Sequence, residues 1–199
     1  YLRLVTDREL QSFFVQFGDH SGYKILGVDP AAGGDKSAIV LKSGNLQEVL
    51  YNQKLQNTMD LVGVIMDKYR SSHADYIVID KTGVGQGVFD RLQELDYPCR
   101  GVSFGEKSED PQFGNLKAEW HWRQREWLLS GGRLLYNIDW NEFEIVKYKN
   151  KDGKIVIQPK EELFKENIAS PNVVDAAVLT QVIRDSTVRS TRIIKQMRG

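Results

Sequence analysis

The chain has 199 residues, of which 41% are hydrophobic, and its 27 basic residues balance 27 acidic ones. These values predict one globular domain with a substantial core and exclude an intrinsically disordered protein. No apolar run approaches the roughly 20 residues that cross a bilayer, and no signal peptide begins the chain, so we expect no membrane association. Because the net charge is zero, any contact with DNA must use a local patch.

The residue types that ligate metals narrow the chemistry further. Cys99 is the only cysteine, which excludes an internal disulfide and a multi-thiolate zinc site and fits a reducing cytoplasm. His20, His73 and His121 are scattered without metal-ligand spacing. Any metal should therefore be held mainly by oxygen ligands, which favours magnesium or manganese.

The first half of the chain predicts strands in hairpin connection, followed by helices and strands. Residues 1–22 are polar and rich in turn formers, and we interpret them as a linker or a remnant of an upstream region. The first residue is Tyr1 rather than Met, so we expect the chain to be part of a longer protein. The predicted elements are strands at 23–29, 37–42 and 46–55, a helix with Thr58 as its N-cap, a strand at 76–80, a helix at 88–95 and a strand at 100–104.

The second half predicts a long helix, a hairpin and a terminal helix. The long helix spans 116–129, and alternating segments at 143–148 and 154–158 flank a hairpin turn. A helix at 160–167 follows, and a last helix begins with Ser170 as N-cap and Pro171 at its first position, ending near Arg184. This order predicts an α/β domain over 23–184 with a mixed sheet, flanking helices and an extra hairpin, followed by a basic C-terminal tail at 185–199.

Three aspartates stand where a strand ends or a helix begins. Asp29 closes the first apolar run, Asp80 closes the run at 76–80, and Asp175 lies near the start of the last helix. Individually, each has an ordinary explanation as a turn former or a first-turn helix acid. Together they are candidate metal ligands and catalytic residues, because the carboxyl ends of neighbouring parallel strands meet at one edge of a sheet. Such a cage suits two divalent cations that straddle a scissile phosphate, one activating water and the other stabilising the departing 3′ oxygen.

Two glycine-rich segments do not fit nucleotide-binding motifs. The first, at 27–37, has Asp35 where a Walker A motif requires glycine directly before Lys36-Ser37. The second, Thr82-Gly-Val-Gly-Gln-Gly87, matches the dinucleotide fingerprint poorly. We interpret the glycines beside Asp29 as allowing tight backbone turns.

Four motifs, in their order and spacing over residues 24–183, resemble the nuclease domain of the large terminase subunit of tailed bacteriophages. The motifs are Gly27-Val-Asp-Pro-Ala-Ala-Gly-Gly-Asp-Lys-Ser37, Ile79-Asp-Lys-Thr-Gly-Val-Gly-Gln-Gly-Val88, Asn115-Leu-Lys-Ala-Glu-Trp-His-Trp-Arg-Gln-Arg-Glu-Trp-Leu128 and Ser170-Pro-Asn-Val-Val-Asp-Ala-Ala177. The resemblance implies an RNase H-like fold and a metal-dependent endonuclease that cuts concatemeric viral double-stranded DNA when packaging begins and ends. It assigns Asp29, Asp80 and Asp175 as the acidic metal ligands. In the two-metal chemistry described above, Asp29 would bridge two Mg²⁺ or Mn²⁺ ions, and Asp80 and Asp175 would each hold one.

The resemblance also implies partners and a location. The partners are double-stranded DNA, an N-terminal ATPase domain of the same chain, the small terminase subunit and the portal protein. The location is the cytoplasm of the infected bacterial host, with no stable place in the mature virion. One departure is Asn172, where many relatives have an aspartate, so we expect at most an indirect role for its amide.

Four lysines are weaker candidates for DNA contacts. Lys147, Lys149 and Lys151 lie on the predicted hairpin, which in relatives lies near the site. Lys81 directly follows Asp80 and could touch a phosphate, although a solvent-facing lysine is the more common situation. Two alternative functions stay open: a catalytically silent RNase H-like module that docks DNA or the portal, and an actin-like ATPase fragment, a fold that normally needs two such domains.

Overall fold

The structure is a computed structural model that describes residues 1–31, 34–55 and 57–183. The strands of the described residues are β1 (Leu2–Arg3), β2 (Phe14–Val15), β3 (Lys24–Asp29), β4 (Lys36–Ser43), β5 (Leu46–Lys54), β6 (Tyr76–Asp80), β7 (Cys99–Val102), β8 (Arg133–Leu135), β9 (Lys147–Lys151) and β10 (Lys154–Ile157). The helices are α1 (Asp7–Phe13), α2 (Thr58–Ser71), α3 (Gly85–Glu94), α4 (Leu116–Leu129), α5 (Lys160–Lys165), α6 (Asn172–Leu179) and a 3₁₀ helix (Ile138–Ile145).

The larger sheet has seven strands in the order β2-β8-β5-β4-β3-β6-β7. β3, β4 and β5 form an antiparallel meander, whereas β6 runs parallel to β3 and β7 runs parallel to β6. The predicted mixed sheet is therefore confirmed, and the strands that end in Asp29 and Asp80 are neighbours. A smaller antiparallel sheet, β1-β9-β10, contains the predicted hairpin.

Alternation along β3 divides the core between the two faces of the large sheet. Leu26 and Val28 pack in one apolar cluster with residues of α2 and α3. Ile25 belongs to the other cluster, which contains residues of α4 and α6. Because side chains alternate along a strand, Gly27 and Asp29 face the same side as Ile25, toward α6.

Gly27 permits the close approach of α6 to β3. A Cβ atom at this position would lie 1.9 Å from the carbonyl oxygen of Ala176 on α6. No side chain fits that distance, so the strand carrying Asp29 needs a glycine two residues earlier to bring the helix carrying Asp175 against it. The approach of Asp175 on α6 to Asp29 on β3 thus depends on Gly27.

The interpretation of residues 1–22 as a linker or remnant is wrong for the segment that contains β1, α1 and β2. Leu4, Val5, Leu10 and Phe13 are buried in the core that α4 and α6 share, and β1 pairs with β9 and β2 with β8. Two-residue strands have no periodicity to recognise, and their partners lie more than 100 residues away. This segment is an integral part of the domain.

Several predicted boundaries also change. Of the strand predicted at 143–148, residues 143–146 do not belong to a strand. Trp140 and Phe143 are buried side chains of a 3₁₀ helix, and the hairpin begins only at Lys147, the first residue of β9. The N-cap of α2 is Asn57 rather than Thr58. The last helix ends at Leu179 rather than near Arg184. Its N-cap residue is Pro171 rather than Ser170, and the Pro171 side chain makes no capping hydrogen bond. The predicted basic tail at 185–199 lies outside the described residues. Among the residues that the structure describes, no helix is long and apolar enough to span a membrane.

Candidate metal centre

Asp29 and Asp80 meet at one edge of the large sheet. Val28 pairs with Ile79 in the parallel register of β3 and β6, so the following aspartates occupy neighbouring strand ends. Along β6, Val78 packs in the α6-facing cluster and Ile79 in the opposite one, so alternation also turns Asp80 toward the α6 side. Both aspartates line one cleft of about 370 Å³ and are nearly buried, with 3% and 9% of their surfaces exposed.

The glycine-rich segment after Asp80 shapes this strand end. Thr82 donates its backbone N–H to the Oδ1 atom of Asp80 at 3.0 Å, which closes a tight turn. A Cβ atom at Gly85 would lie 1.9 Å from the carbonyl oxygen of Asp80. The glycine at 85 therefore lets α3 begin directly against the end of β6, a structural role rather than a nucleotide-binding one.

Asp175 is linked to Asp29 by a lysine side chain. It is fully buried in the first turn of α6. Its Oδ2 atom lies 3.2 Å from the ammonium of Lys117 and 3.2 Å from that of Lys160. The Lys160 ammonium also lies 3.7 Å from the Oδ2 atom of Asp29. Lys160 thus links Asp29 to Asp175. Because Asp80 lies at the end of the neighbouring strand, the three predicted aspartates converge.

Burial and charge act differently on two of these carboxyl groups. Burial raises the pKa of Asp29 to about 7; Lys160 opposes this rise, whereas the neighbouring Asp175 and Asp80 add to it. Burial acts in the same direction on Asp175, but Lys117, Lys160 and His121 outweigh it and hold the pKa of Asp175 well below its usual range. Asp175 is therefore ionised near neutral pH. Asp29, by contrast, is protonated in about half of the molecules at pH 7.

The buried oxygens of the site suit a hard divalent cation. Asp29 Oδ2 and Asn172 Oδ1 are buried without a hydrogen-bond partner, and carboxylate oxygens are the ligands that Mg²⁺ and Mn²⁺ prefer. No group of three or more His, Cys, Asp or Glu side chains within the described ranges is already spaced to hold a metal ion. The Lys160 ammonium lies within ion-pair distance of both Asp29 and Asp175.

Asn172 connects the start of α6 to the first glycine-rich loop. Its Nδ2 atom donates to the Oδ1 atom of Asp35 at 2.7 Å. Asp35 is the residue that breaks the Walker A pattern, and it lies close enough to influence Lys160 electrostatically. The departure at Asn172 therefore supports loop geometry beside the site and fits the indirect role expected of it.

Three functional candidates were missed at the level of sequence: Lys117, His121 and Lys160. Lys117 and His121 are four residues apart on α4, so they share a helix face, and both contact Asp175. That spacing within the third motif was a usable signal. Lys160 had only a weak one, as the first residue of a helix after a hairpin and Pro159.

The structure places three of the lysines predicted to contact DNA on β9 and the fourth directly after β6. Lys147, Lys149 and Lys151 alternate along β9, and the Lys149 ammonium lies 4.3 Å from the centre of the Tyr1 ring. Lys81 comes after Asp80, so its side chain points to the opposite face, where its Cδ atom lies near Gly101. None of the four lines the cleft that contains Asp29 and Asp80, and their contact with DNA stays a prediction.

Comparison with solved structures identifies the fold. No protein-family model matches the sequence, and no curated protein matches it. The nuclease domain of the large terminase subunit of bacterial virus Sf6 superposes with a TM-score of 0.78 at 15% identity, covering 90% of this chain and 98% of that one. The chain has the fold of a phage terminase nuclease domain.

Two metal-containing terminase nucleases show the same likeness. A lysine-to-alanine variant of the Sf6 nuclease, solved with manganese and beta-thujaplicinol, gives a TM-score of 0.81 at 14% identity over 90% of this chain and 98% of that one. The large terminase nuclease of thermophilic phage G20c, solved with bound magnesium, gives 0.63 at 15% identity over 87% and 94%. The expected RNase H-like α/β fold is confirmed, and the match to the Sf6 nuclease domain covers 90% of the chain.

Proposed function

We propose that this chain is a divalent-metal-dependent endonuclease that cuts concatemeric viral double-stranded DNA during genome packaging. The observation that carries the proposal is the convergence of Asp29, Asp80 and Asp175 at one sheet edge, with buried oxygens that lack hydrogen-bond partners. The terminase nuclease fold and the metal-containing neighbours support the same chemistry.

The three aspartates would hold two Mg²⁺ or Mn²⁺ ions. When bound, such ions lower the pKa of a coordinated water and stabilise the departing 3′ oxygen. Asp29 lies at the end of β3, beside the strand that ends in Asp80, and the charges of both other aspartates act on it, which suits it to bridge. Asp80 and Asp175 would each hold one of the two ions. Lys117 and Lys160 keep Asp175 ionised, so the helix-borne ligand is ready without losing a proton.

The packaging context extends the proposal beyond the domain itself. An ATPase domain of the same chain would move the DNA, with the small terminase subunit and the portal protein as further partners. Cutting would take place in the cytoplasm of the infected host rather than in the mature virion. The fold supports this context, since the structures it resembles are domains of large terminase subunits.

The test is cleavage of supercoiled plasmid with Mn²⁺, with Mg²⁺ and with no metal, up to high millimolar metal. We expect nicked and linear products only with metal, and none from Asp29→Asn at any metal concentration. Asp96→Asn, in an exposed turn after α3, is the matched control and should cut like the unaltered protein. Equal cleavage by Asp29→Asn and the unaltered protein would refute the proposal.

A silent DNA- or portal-docking module is the second candidate, and Lys160 is the observation that favours it. A lysine that neutralises Asp29 and Asp175 could replace the metal permanently. This candidate predicts that Mn²⁺ does not change the melting temperature. The nuclease predicts a rise by mass action that Asp80→Asn abolishes.

A further inference from the structure

His121 is a fully buried histidine beneath the helix-borne aspartate. It projects from α4 and has no exposed surface. Its Nδ1 atom lies 2.8 Å from the carbonyl oxygen of Lys117, one helical turn earlier. Its ring centroid lies 6.1 Å from that of Phe104 in a tilted arrangement, which restricts rotation of the imidazole.

The other ring nitrogen faces a carboxylate oxygen. His121 Nε2 lies 3.2 Å from Asp175 Oδ1. Neither atom has an aligned hydrogen bond, either to the other or to any further group of the described residues, and both are buried. The pair is thus close enough to interact but is not satisfied by anything else.

Both neighbours of the imidazole are hydrogen-bond acceptors. A carbonyl oxygen and a carboxylate oxygen can only accept, and a neutral imidazole carries a single N–H, so the ring can donate to only one of them. The tautomer with its N–H on Nδ1 donates to Lys117, and the tautomer with its N–H on Nε2, which the positioning role requires, donates toward Asp175. A histidine that merely filled space would leave one of these nitrogens against an apolar neighbour. Here the ring lies between two acceptors, which is the environment of a donor that holds a carboxylate in place.

The two oxygens of Asp175 therefore have separate surroundings. Oδ2 faces Lys117, Lys160 and, through Lys160, Asp29. Oδ1 faces His121 on the other side. Because the two oxygens of an ionised carboxylate are equivalent, a half turn about the bond to Cβ restores the same arrangement. A contact at Oδ1 opposes the smaller rotations of the carboxylate plane that would turn Oδ2 away from the lysines.

We propose that His121 is a positioning residue that holds Oδ1 of Asp175, so that the carboxylate presents Oδ2 to the metal. The inference rests on the proposed metal centre but concerns a residue outside the three-aspartate set. Loss of such a supporting contact typically weakens metal affinity by roughly 10–100-fold.

Two substitutions separate the contacts of the two ring nitrogens. Asparagine can place a donor near the Nδ1 position and keep the Lys117 contact, but it does not reach Asp175. Glutamine is longer and can place an amide N–H where Nε2 lies. We therefore expect His121→Asn to weaken Mn²⁺ affinity about tenfold, and His121→Gln to stay within about threefold of the unaltered protein.

The measurement is Mn²⁺ binding by titration calorimetry, alongside melting temperatures without metal. His73→Asn is the control, because His73 is exposed, far from the site in the fold, and at a positive φ that asparagine tolerates. It should bind Mn²⁺ like the unaltered protein. A merely structural role for His121 would lower the melting temperature without changing Mn²⁺ affinity.

Two results would overturn the inference: folded His121→Asn that binds Mn²⁺ as tightly as the unaltered protein, or folded His121→Gln that loses as much affinity as His121→Asn. If His121→Asn does not fold, His121→Met replaces it as the variant without a donor. Failure of the unaltered protein to bind Mn²⁺ would instead refute the metal centre itself, so the two failures are distinguishable.

Discussion

The strand end that carries Asp29 and the helix that carries Asp175 shift the pKa of a buried carboxyl group in opposite directions. Asp29, at the end of β3, is 3% exposed and has one ammonium 3.7 Å away. Asp175, on α6, has no exposed surface but has two ammoniums at 3.2 Å and an imidazole at the same distance. Accordingly, burial raises the pKa of Asp29 to about 7, whereas the nearby cations hold that of Asp175 below its usual range.

Chain geometry explains the contrast. Neighbouring strand ends place Asp29 beside Asp80, a group of the same charge. The helix position places Asp175 where α4 and α5 can each supply a lysine. The charge of Asp175 is thus compensated by the protein, whereas Asp29 is the carboxylate with most to gain from a bound cation.

Asp175→Asn should have the largest effect. Removing this charge leaves Lys117 and Lys160 close to a neutral amide, and breaking a buried pair in this way destabilises by roughly 3–5 kcal/mol. We expect a melting temperature lower by roughly 10 °C together with loss of metal-dependent cleavage. Differential scanning calorimetry and plasmid cleavage measure the two effects.

Asp60→Asn is the matched control for that variant. Asp60 is also a first-turn helix aspartate, in α2, but it is exposed. It should change the melting temperature by no more than about 1 °C, since only a helix-dipole contribution is lost. If both variants melt alike, the lysines do not stabilise the fold through Asp175.

Asp29→Asn should also abolish cleavage but leave the fold intact. The folded-state pKa of about 7 lies above the ordinary value of 3.8 for an aspartate, so the native state holds this proton more tightly than the unfolded state does. Stability from Asp29 is present below about pH 4 and is lost as pH rises through 7. At pH 8 the asparagine variant should therefore melt no lower than the unaltered protein in metal-free buffer. A drop as large as that of Asp175→Asn would remove the contrast between the two ends.

Lys160→Ala tests whether the lysine and the metal compete. The ammonium lies within ion-pair distance of both Asp29 and Asp175, so a cation must displace it. We expect Mn²⁺ affinity to rise by roughly tenfold, equivalent to about 1.4 kcal/mol, when this competitor is removed. Lys165→Ala, at the exposed end of the same helix, should leave affinity unchanged. Weaker Mn²⁺ binding by Lys160→Ala would show that the lysine assists the metal instead.

The strand ends were predictable from the sequence because their signals are local. The runs that end in Asp29 and Asp80 are short and apolar, and the pleat alone determines which face each aspartate takes. The position of Asp175 early in a helix was predictable for the same reason. Convergence was not a local property, since it depends on Gly27 allowing α6 to approach β3.

Interactions between distant segments were out of reach. Lys160 contacts Asp29 across 131 positions of sequence separation, and no periodicity encodes such a pair. β1 and β2 are two residues long and pair with strands far along the chain, so a segment that completes the core resembled a linker. The misplaced N-cap of α6 has the same origin, because its cap comes from another element.

That cap gives the smallest expected effect. Glu142, in the 3₁₀ helix, accepts hydrogen bonds from the backbone N–H groups of Val173 and Val174 at 2.6 and 3.4 Å. It thereby supplies the cap that Pro171 lacks. Burial raises the pKa of Glu142 to about 8, the two N–H groups oppose the rise, and Asp175 and Asp139 add to it.

Glu142 therefore belongs with Asp29 in the comparison, as a carboxyl whose surroundings disfavour its charge. Its contribution to stability is present below about pH 4.5 and is lost as pH rises through 8. Glutamine accepts the same N–H bonds without ionising. Glu142→Gln should therefore melt roughly 4 °C higher than the unaltered protein at pH 8 and at the same temperature as the unaltered protein at pH 4. Glu144→Gln, in the same 3₁₀ helix, should show no such difference between the two pH values. A lower melting temperature of Glu142→Gln at pH 8 would mean that the ionised carboxylate stabilises the start of α6, as the lysines stabilise Asp175.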